Sequence, residues 1–269
     1  MRIGLLALPD PYDFALSTER FRAFGLDLAT LWHEGGLHRV VDGREVRIEA
    51  APGGVSVEPL DGRIEPLVRR LLGAPFALEP FYAFAAEEPV LAPLVPRLAG
   101  FRPPLAPDPW EALVVSICAQ QVSLFSATAI RNRFVERYGE PVDRAWAFPR
   151  RERVARASED ELVALGFSRR KAEYVLDLAR ADVDLDALAG LSDDEVRAAI
   201  VARRGLGPWT AEWFLARHLA RPNAWPAGDL ALRKAVDRFY AEDVETVGRR
   251  LHPHQNLAAH YLLTGSRLP

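Results

Sequence analysis

The segment 203–214, "RRGLGPWTAEWF", combines residue types and a spacing that could bind an anion. Gly205 and Gly207 are separated by a single residue, which favours a tight turn where the backbone comes very close to another group. Pro208 then suits the first position of a helix. The unpaired N–H groups and the dipole at a helix N-terminus attract phosphate. The segment therefore predicts a backbone phosphate site.

The residues before this turn exclude a dinucleotide-binding fingerprint. That motif needs a strand before G-x-G-x-x-G, but here the turn follows "SDDEVRAAIVARR", whose Ser192 and Glu195 form a capping box that opens a helix. Thr210 also stands where the third glycine would be. The pattern predicts a helix-hairpin-helix over 192–219.

Four residues of the hairpin are predicted to contact a nucleic-acid backbone: Gly205, Leu206, Gly207 and Thr210. Phosphate contacts made by backbone N–H groups carry no sequence information, so DNA held without regard to sequence is the expected partner. An ordinary pair of helices joined by a glycine turn is the alternative at this point.

The elements around the hairpin predict an α+β fold in two parts. Residues 1–88 are expected to form an antiparallel sheet domain, with hairpin turns at Asp42-Gly43 and Gly53-Gly54 and a helix that ends at Gly73. Residues 89–269 show helical spacing with short connections and no strand signals. The second part is therefore predicted to be all-helical.

Composition limits the function classes. The formal net charge is −3, which does not suggest nucleic acid, but arginines cluster locally in the second part. The single cysteine, Cys118, lies in an apolar run and excludes an intramolecular disulfide or a cysteine-ligated iron–sulfur cluster. No run is long and apolar enough to cross a bilayer, and the first strand breaks at Pro9, unlike a signal peptide. A monomer in the cytoplasm, associated with the nucleoid, is the expectation.

Several ordered segments together resemble the HhH-GPD superfamily of helix-hairpin-helix DNA glycosylases, and within it the AlkA-like 3-methyladenine DNA glycosylases. These segments are "PYDF", "ICAQQVSLFSATAI", "LVALGFSRRKAEYVLDLA" and "GLGPWTAEWFLAR…GDLALRKAV". The resemblance covers most of the chain. It implies a TBP-like N-terminal sheet domain, with "PYDF" in its first strand, and double-stranded DNA containing alkylated bases as the partner.

The resemblance also implies a catalytic site. Asp229 matches the family's catalytic aspartate, whose carboxylate would stabilise an oxocarbenium-like sugar or activate the attacking water. A routine helix N-cap is the alternative for this residue, and both roles are compatible. Trp209 and Trp213 match positions beside the flipped base, where aromatic rings would stack on a cationic purine. Packing in the interior is the alternative for that pair.

Three positions depart from the AlkA-like pattern around the base pocket. Gly228 replaces an acidic neighbour of Asp229, Leu230 replaces an aromatic residue, and Leu263 stands where a stacking tryptophan is expected. Gln121 matches the residue that fills the space left by the flipped nucleotide, where an apolar side chain is usual. The pocket is expected to be more open or less aromatic, which leaves the substrate range undetermined.

The positions of the lysines predict a monofunctional enzyme. Relatives that cut the backbone form a Schiff base with a lysine at the position of Trp209, and the chain has only Lys171 and Lys234. No metal and no organic cofactor are expected; a structural monovalent cation at the hairpin backbone is the one ion that the resemblance allows. A non-catalytic damage-binding module and a glycosylase for another lesion class remain the alternatives.

Overall fold

The computed structural model describes residues 3–268, and it begins with five strands: β1 Gly4–Ala7, β2 Thr30–His33, β3 Gly36–Val41, β4 Arg44–Ala51 and β5 Gly54–Glu58. They form one antiparallel sheet in the order β1-β5-β4-β3-β2. The turn between β3 and β4 has positive φ at Asp42 and Gly43, as a two-residue hairpin requires. At the start of β5, a Cβ on Gly54 would stand 2.1 Å from the Leu6 carbonyl oxygen, so only glycine lets β1 pair there.

Two features of this first part differ from the sequence prediction. β2 was not predicted, because its four residues are too few to show an alternating pattern. The segment "PYDF" does not form a strand: Asp13 is instead the N-cap of a helix that starts at Phe14, and its carboxylate accepts the Leu16 N–H. The α+β class itself is confirmed.

The chain forms fifteen α-helices within residues 3–268. They are α1 Phe14–Thr18, α2 Arg20–Ala23, α3 Ile64–Leu71, α4 Leu78–Ala86, α5 Leu91–Leu94, α6 Pro109–Ala119, α7 Leu124–Tyr138, α8 Arg151–Val154, α9 Glu159–Ala164, α10 Arg169–Arg180, α11 Asp193–Val201, α12 Pro208–Arg217, α13 Leu230–Tyr240, α14 Val244–Arg250 and α15 Gln255–Gly265. The capping box predicted at Ser192 is present on α11; Asp108 caps α6, and Ser158 opens a second complete capping box on α9.

The second part is not purely helical, because it contains a short hairpin of β6 Glu140–Val142 and β7 Ala145–Ala147. Strands of three residues carry no readable alternation, so the sequence did not predict them. This β-hairpin is hydrogen-bonded to the N-terminal sheet region. The Arg144 N–H donates to the Glu45 carboxylate at 2.6 Å, and the Trp146 N–H donates to the Leu28 carbonyl at 3.0 Å.

Buried side chains form three clusters. One lies between the sheet and α3, one joins α4 and α5 to α13–α15, and one holds α6, α7 and α9–α12 together. Residues 76–105 therefore pack with the C-terminal helices rather than with the sheet. The boundary expected at residue 88 falls inside this second cluster, and it stays a prediction.

Candidate active site and DNA-binding surface

Asp229 is the N-cap of α13. Its Oδ1 accepts the backbone N–H groups of Ala231 at 2.9 Å and Leu232 at 3.0 Å. Asp229 therefore does act as a helix N-cap in this structure, as the alternative reading of the sequence predicted. Because the cap fixes one oxygen, the other oxygen of the carboxylate is held in a defined direction.

The second oxygen of Asp229 is bound by the two tryptophans of α12. Trp209 Nε1 donates to Oδ2 at 2.9 Å, and Trp213 Nε1 donates to the same atom at 3.0 Å. The two indoles can share one acceptor because a spacing of four places them on one face of the helix. All four partners of the carboxylate are donors, so the geometry matches an ionised aspartate. The sequence grouped these three residues but did not predict the hydrogen bonds.

Trp213 is an interior residue whose side chain is only 3% exposed. The guanidinium carbon of Arg217 lies 3.4 Å from the centroid of the indole, and the His260 ring meets Trp213 edge-on with centroids 5.7 Å apart. Trp209 is only partly buried. In this structure one face of Trp213 is thus covered by an arginine, and stacking on a base stays a prediction for both tryptophans.

The other two predicted pocket residues lie in different surroundings. Leu230 is the first residue of α13 and is 66% exposed beside Asp229. Leu263 on α15 is partly buried and packs against the second and third buried clusters described above. Gly228 faces open space, since a Cβ there would meet no atom within 4 Å. Their contact with a base remains a prediction.

Sequence reasoning missed a group of basic residues near Asp229 and Trp213. Burial lowers the pKa of Arg217 well below its usual range, and the charges of Arg20 and Arg267 lower it further while Asp229 opposes them. Burial likewise lowers the pKa of His260 well below its usual range. Arg217 could have been found, because it follows Trp213 by four residues on the same helix. Arg20 could not, because it comes from α2 in the other part of the chain.

The hairpin turn between α11 and α12 uses its two glycines differently. Gly205 has a φ of +80°, and a Cβ there would lie 2.1 Å from the Tyr174 ring, so this glycine lets the turn pack on α10. Gly207 has an ordinary φ of −109°, and a Cβ there would meet nothing within 4 Å. Within residues 3–268, the backbone N–H groups of Gly207, Trp209 and Thr210 have no acceptor. Open space and free donors thus coincide at the start of α12.

The loop between α6 and α7 carries Gln121. Its side chain is exposed, and its φ of 55° lies in the left-handed region that is uncommon for a residue other than glycine. The neighbouring Gln120 donates its side-chain amide to the Gly205 carbonyl at 2.8 Å, which ties this loop to the hairpin. Three exposed apolar side chains follow in the sequence: Val122, Leu124 and Phe125.

Residues 114–250 match the family model described as HhH-GPD superfamily base excision DNA repair protein. The match spans the loop of Gln121, the hairpin and Asp229.

The chain belongs to the HhH-GPD superfamily.

Curated proteins of two bacteria are similar to the chain. It is 31% identical over 167 residues to the DNA-3-methyladenine glycosylase of Bacillus subtilis, covering 59% of this chain and 55% of that protein. It is 32% identical over 227 residues to a probable bifunctional transcriptional activator/DNA repair enzyme AlkA of Mycobacterium tuberculosis, covering 76% of this chain and 46% of that protein. The chain spans about half the length of these curated relatives.

The fold is similar to that of a solved glycosylase structure. The 3-methyladenine DNA glycosylase of Archaeoglobus fulgidus superimposes with a TM-score of 0.88 and 26% identity, covering 100% of this chain and 99% of that one. The sheet that precedes the helical part is therefore shared with this glycosylase.

The described residues offer few further sites. Within residues 3–268, no three His, Cys, Asp or Glu side chains are grouped so as to hold a metal ion, and no helix is long and apolar enough to cross a membrane. Cys118 is buried, and burial raises its pKa to about 12, which suits an inert interior thiol. The monovalent cation at the hairpin stays a prediction; one carbonyl of the turn, that of Gly205, already accepts the Gln120 amide.

Proposed function

We propose that this chain is a monofunctional DNA glycosylase that removes alkylated bases, 3-methyladenine among them, from double-stranded DNA in base-excision repair. The observation that carries the proposal is the carboxylate of Asp229, fixed by four donors in a site between α12 and α13. The names of the relatives in Bacillus subtilis and Archaeoglobus fulgidus support the substrate class.

The reaction breaks the bond between the base and C1′ of the sugar, and a water adds at C1′. The damaged nucleotide must first leave the base stack and enter the site. Positive charge then develops on the sugar as the base departs, and a fixed carboxylate stabilises it without reorganising. Asp229 is proposed to be this carboxylate.

The hydrogen bonds of Asp229 distinguish between its two proposed roles. The two oxygens of a carboxylate offer about four lone-pair sites. All four are engaged, two by the amides of Ala231 and Leu232 and two by the indoles of Trp209 and Trp213. A water beside C1′ then finds no free lone pair on this carboxylate to which it could donate. We therefore assign Asp229 to electrostatic stabilisation of the sugar rather than to general-base catalysis.

DNA would be held by the hairpin and opened by the loop of Gln121. The N–H groups of Gly207, Trp209 and Thr210 at the N-terminus of α12 have no acceptor within residues 3–268, and the space beside Gly207 is open, as the approach of a backbone phosphate requires. Gln121 is exposed and stands in a strained backbone conformation, and such strain is frequently found at functional positions. We assign it to the space left by the flipped nucleotide.

The positions of both lysines support hydrolysis without strand cleavage. Lys171 is buried, and its Nζ donates to the Cys118 carbonyl at 3.0 Å, so it is not available as a nucleophile. Lys234 is exposed on α13, more than one turn beyond Asp229. We expect no covalent adduct when borohydride is added to the protein with abasic DNA. A trapped adduct that vanishes in Lys234→Gln would show instead that the enzyme is bifunctional.

The decisive experiment incubates the protein with methylated duplex DNA and measures free base together with abasic sites. Release of 3-methyladenine without strand breaks supports the proposal. Tight binding to the lesion without release would show a non-catalytic recognition module, and release of oxidised purines alone would show another lesion class. Action as a monomer, on DNA of the nucleoid in the cytoplasm, is part of the same proposal.

A further inference from the structure

Two arginines beside the hairpin turn leave their positive charge unpaired. Arg203 is partly buried and Arg170 is exposed, and neither side chain forms a hydrogen bond or an ion pair within residues 3–268. The arginines next to them in the sequence, Arg204 and Arg169, are each paired with a glutamate, at 2.6 Å and 3.0 Å. The guanidinium groups of Arg203 and Arg170 therefore contribute no polar contact to the fold and are free to bind a ligand.

Arg203 lies next to the turn, on the side of α10. It lines a cavity of about 220 Å³ together with Tyr174 and Leu206. The Tyr174 ring is also the surface on which the turn packs, because a Cβ on Gly205 would lie 2.1 Å from it. Leu206 directly precedes Gly207, whose backbone N–H has no acceptor in the part of the chain that the structure describes. Arg203 is therefore a near neighbour of the phosphate site predicted at Gly207.

Arg170 approaches the same turn from the start of α10. It precedes Tyr174 by four residues, so the two side chains lie on one face of the helix. The cavity that Arg203 lines extends along α10 in the other direction, from Tyr174 to Asp177 and Leu178. The turn, which packs on Tyr174, thus has one unpaired arginine on each side along α10.

The carboxylates of this surface are already engaged. Glu173 and Asp177 on α10 lie 2.6 Å and 3.7 Å from the guanidinium of Arg204. Arg204 thus holds the acidic groups with which Arg203 and Arg170 could otherwise pair. Two free guanidinium groups beside a phosphate site suit further phosphates, because the planar fork of an arginine matches the oxygens of a phosphate.

We infer that Arg170 and Arg203 bind the backbone phosphates on either side of the phosphate at Gly207, all on one strand of the DNA. This inference rests on the proposed function and deepens it. The backbone N–H groups at Gly207 carry no net charge, so they hold a phosphate without neutralising it. A guanidinium neutralises its phosphate and releases the cations condensed there, which makes binding depend on salt. The two arginines thus supply the salt-dependent part of binding around the hairpin.

The test measures the affinity for undamaged duplex DNA by fluorescence anisotropy from about 50 to about 200 mM salt. Arg170→Gln and Arg203→Gln should each weaken binding on every sequence. Each should also flatten the slope of the logarithm of the association constant against the logarithm of salt concentration by about 0.9, and the double variant by about 1.8. Arg203→Lys keeps the charge and should keep the wild-type slope. Gly207→Ala should lower the affinity at an unchanged slope.

Arg156→Gln is the matched control. Arg156 is also exposed and unpaired within residues 3–268, but it lines a cleft with Arg180, the last residue of α10. Arg180 lies about 15 Å along the helix from Arg170. This control removes the same charge without a contact near the turn, so it should match the wild-type slope.

The melting temperature of each variant shows whether it is folded. A folded Arg170→Gln or Arg203→Gln protein with the wild-type slope would overturn the assignment of that arginine. An equal change of slope in Arg156→Gln would show an effect of net charge alone and would overturn both assignments. A wild type that binds duplex DNA with the expected salt dependence but releases no 3-methyladenine would overturn the proposed function and leave the phosphate contacts in place.

Discussion

Asp229 is bound on both of its oxygens, and this determines what its substitution would do. In Asp229→Asn, the amide nitrogen must face either the two indole N–H groups or the two backbone N–H groups of α13. Two donors then lose their acceptor whichever way the amide turns. We expect the free energy of unfolding to fall by about 1–3 kcal/mol. Single-turnover base release should fall by about 10²–10³-fold.

Rate and stability can be separated for this variant. Denaturant unfolding gives the stability change, and release is measured well below the unfolding midpoint with DNA binding as a control. Binding should persist, since removing a negative charge near phosphates reduces repulsion. A folded Asp229→Asn protein with the wild-type rate would show that Asp229 is a helix cap and nothing more.

The candidate site was predictable at the residue level only in part. The interval from Trp209 to Asp229 and the pairing of Trp209 with Trp213 are visible in the sequence, and the structure brings all three together. Arg20 and His260 come from α2 and α15, far away in the chain, so no local pattern connects them with Asp229. The cover that Arg217 forms over Trp213 depends on a rotamer, which the sequence does not specify.

Among the elements, the hairpin offers a matched pair of glycine substitutions. Gly207→Ala adds a methyl group to open space at an ordinary φ, so folding should be unaffected while the approach of a phosphate is crowded. We expect DNA affinity to fall by about tenfold, equivalent to roughly 1.4 kcal/mol, with the same melting temperature. Fluorescence anisotropy on undamaged duplex at several salt concentrations would measure the affinity.

Gly205→Ala is the contrasting variant, because its methyl group would collide with the Tyr174 ring at a positive φ. We expect this protein to lose stability before it loses affinity. If Gly207→Ala binds DNA as the wild type does, the hairpin is not the phosphate site.

The loop of Gln121 can be tested against its own neighbours. Gln121→Ala should slow base release from duplex DNA more than from single strands, because only the duplex must be unpaired at a cost of a few kcal/mol. Phe125→Ala is the matched comparison, since Phe125 is 62% exposed nearby on α7. Single-turnover rates of both variants on duplex and single-stranded DNA test whether Gln121 fills the space left by the flipped nucleotide. Equal losses on both forms in Gln121→Ala, or a duplex-specific loss in Phe125→Ala alone, would assign the filling role elsewhere.

Helices that begin at a recognisable N-cap could be predicted from the sequence, whereas the short strands β2, β6 and β7 could not. Ser192 and Glu195 mark the start of α11 in the sequence, and the structure starts the helix at that cap; α6 and α9 also begin at residues that favour the N-cap, Asp108 and Ser158. β2, β6 and β7 have four or three residues each, too few for an alternating pattern. They exist because they pair with partners that stabilise them, which is information from outside the segment.

For the molecule as a whole, the sequence predicted the order of sheet and helices but not how the buried clusters divide the chain. Residues 76–105 pack against α13–α15, more than a hundred residues away. Such contacts leave no trace in local periodicity, because an apolar helix face looks the same whichever partner covers it. The boundary expected near residue 88 reflects the end of the strand pattern.

His218 links separate parts of the molecule and makes its stability depend on pH. Its Nδ1 lies 2.9 Å from the Ala106 carbonyl, and Arg70 from α3 donates to its backbone oxygen. Burial, and then the Arg70 charge, lower the pKa of His218 to about 4. The neutral ring is therefore favoured by folding. Its contribution is complete above about pH 6.5 and is lost as pH falls towards 4, by at most about 3 kcal/mol.

His218→Gln removes the titrating ring but keeps a donor for the Ala106 carbonyl. Between pH 6.5 and 4.5 the free energy of unfolding, measured with urea, should fall less steeply in this variant than in the wild type. Other acid-sensitive groups are common to both proteins, so the difference between the slopes isolates His218. Parallel pH profiles would contradict the assignment.

The ion pair between Arg39 on β3 and Glu111 on α6 restricts how the chain can be recombined with its relatives. The two side chains are only 9% and 11% exposed, and Arg39 also donates to Thr30 Oγ1 at 2.7 Å. Separating them would leave a charge uncompensated in the interior, at a cost of about 3–5 kcal/mol. A chimera that joins this sheet to the helical part of another family member must therefore bring both partners or replace both. The sheet is not an interchangeable module.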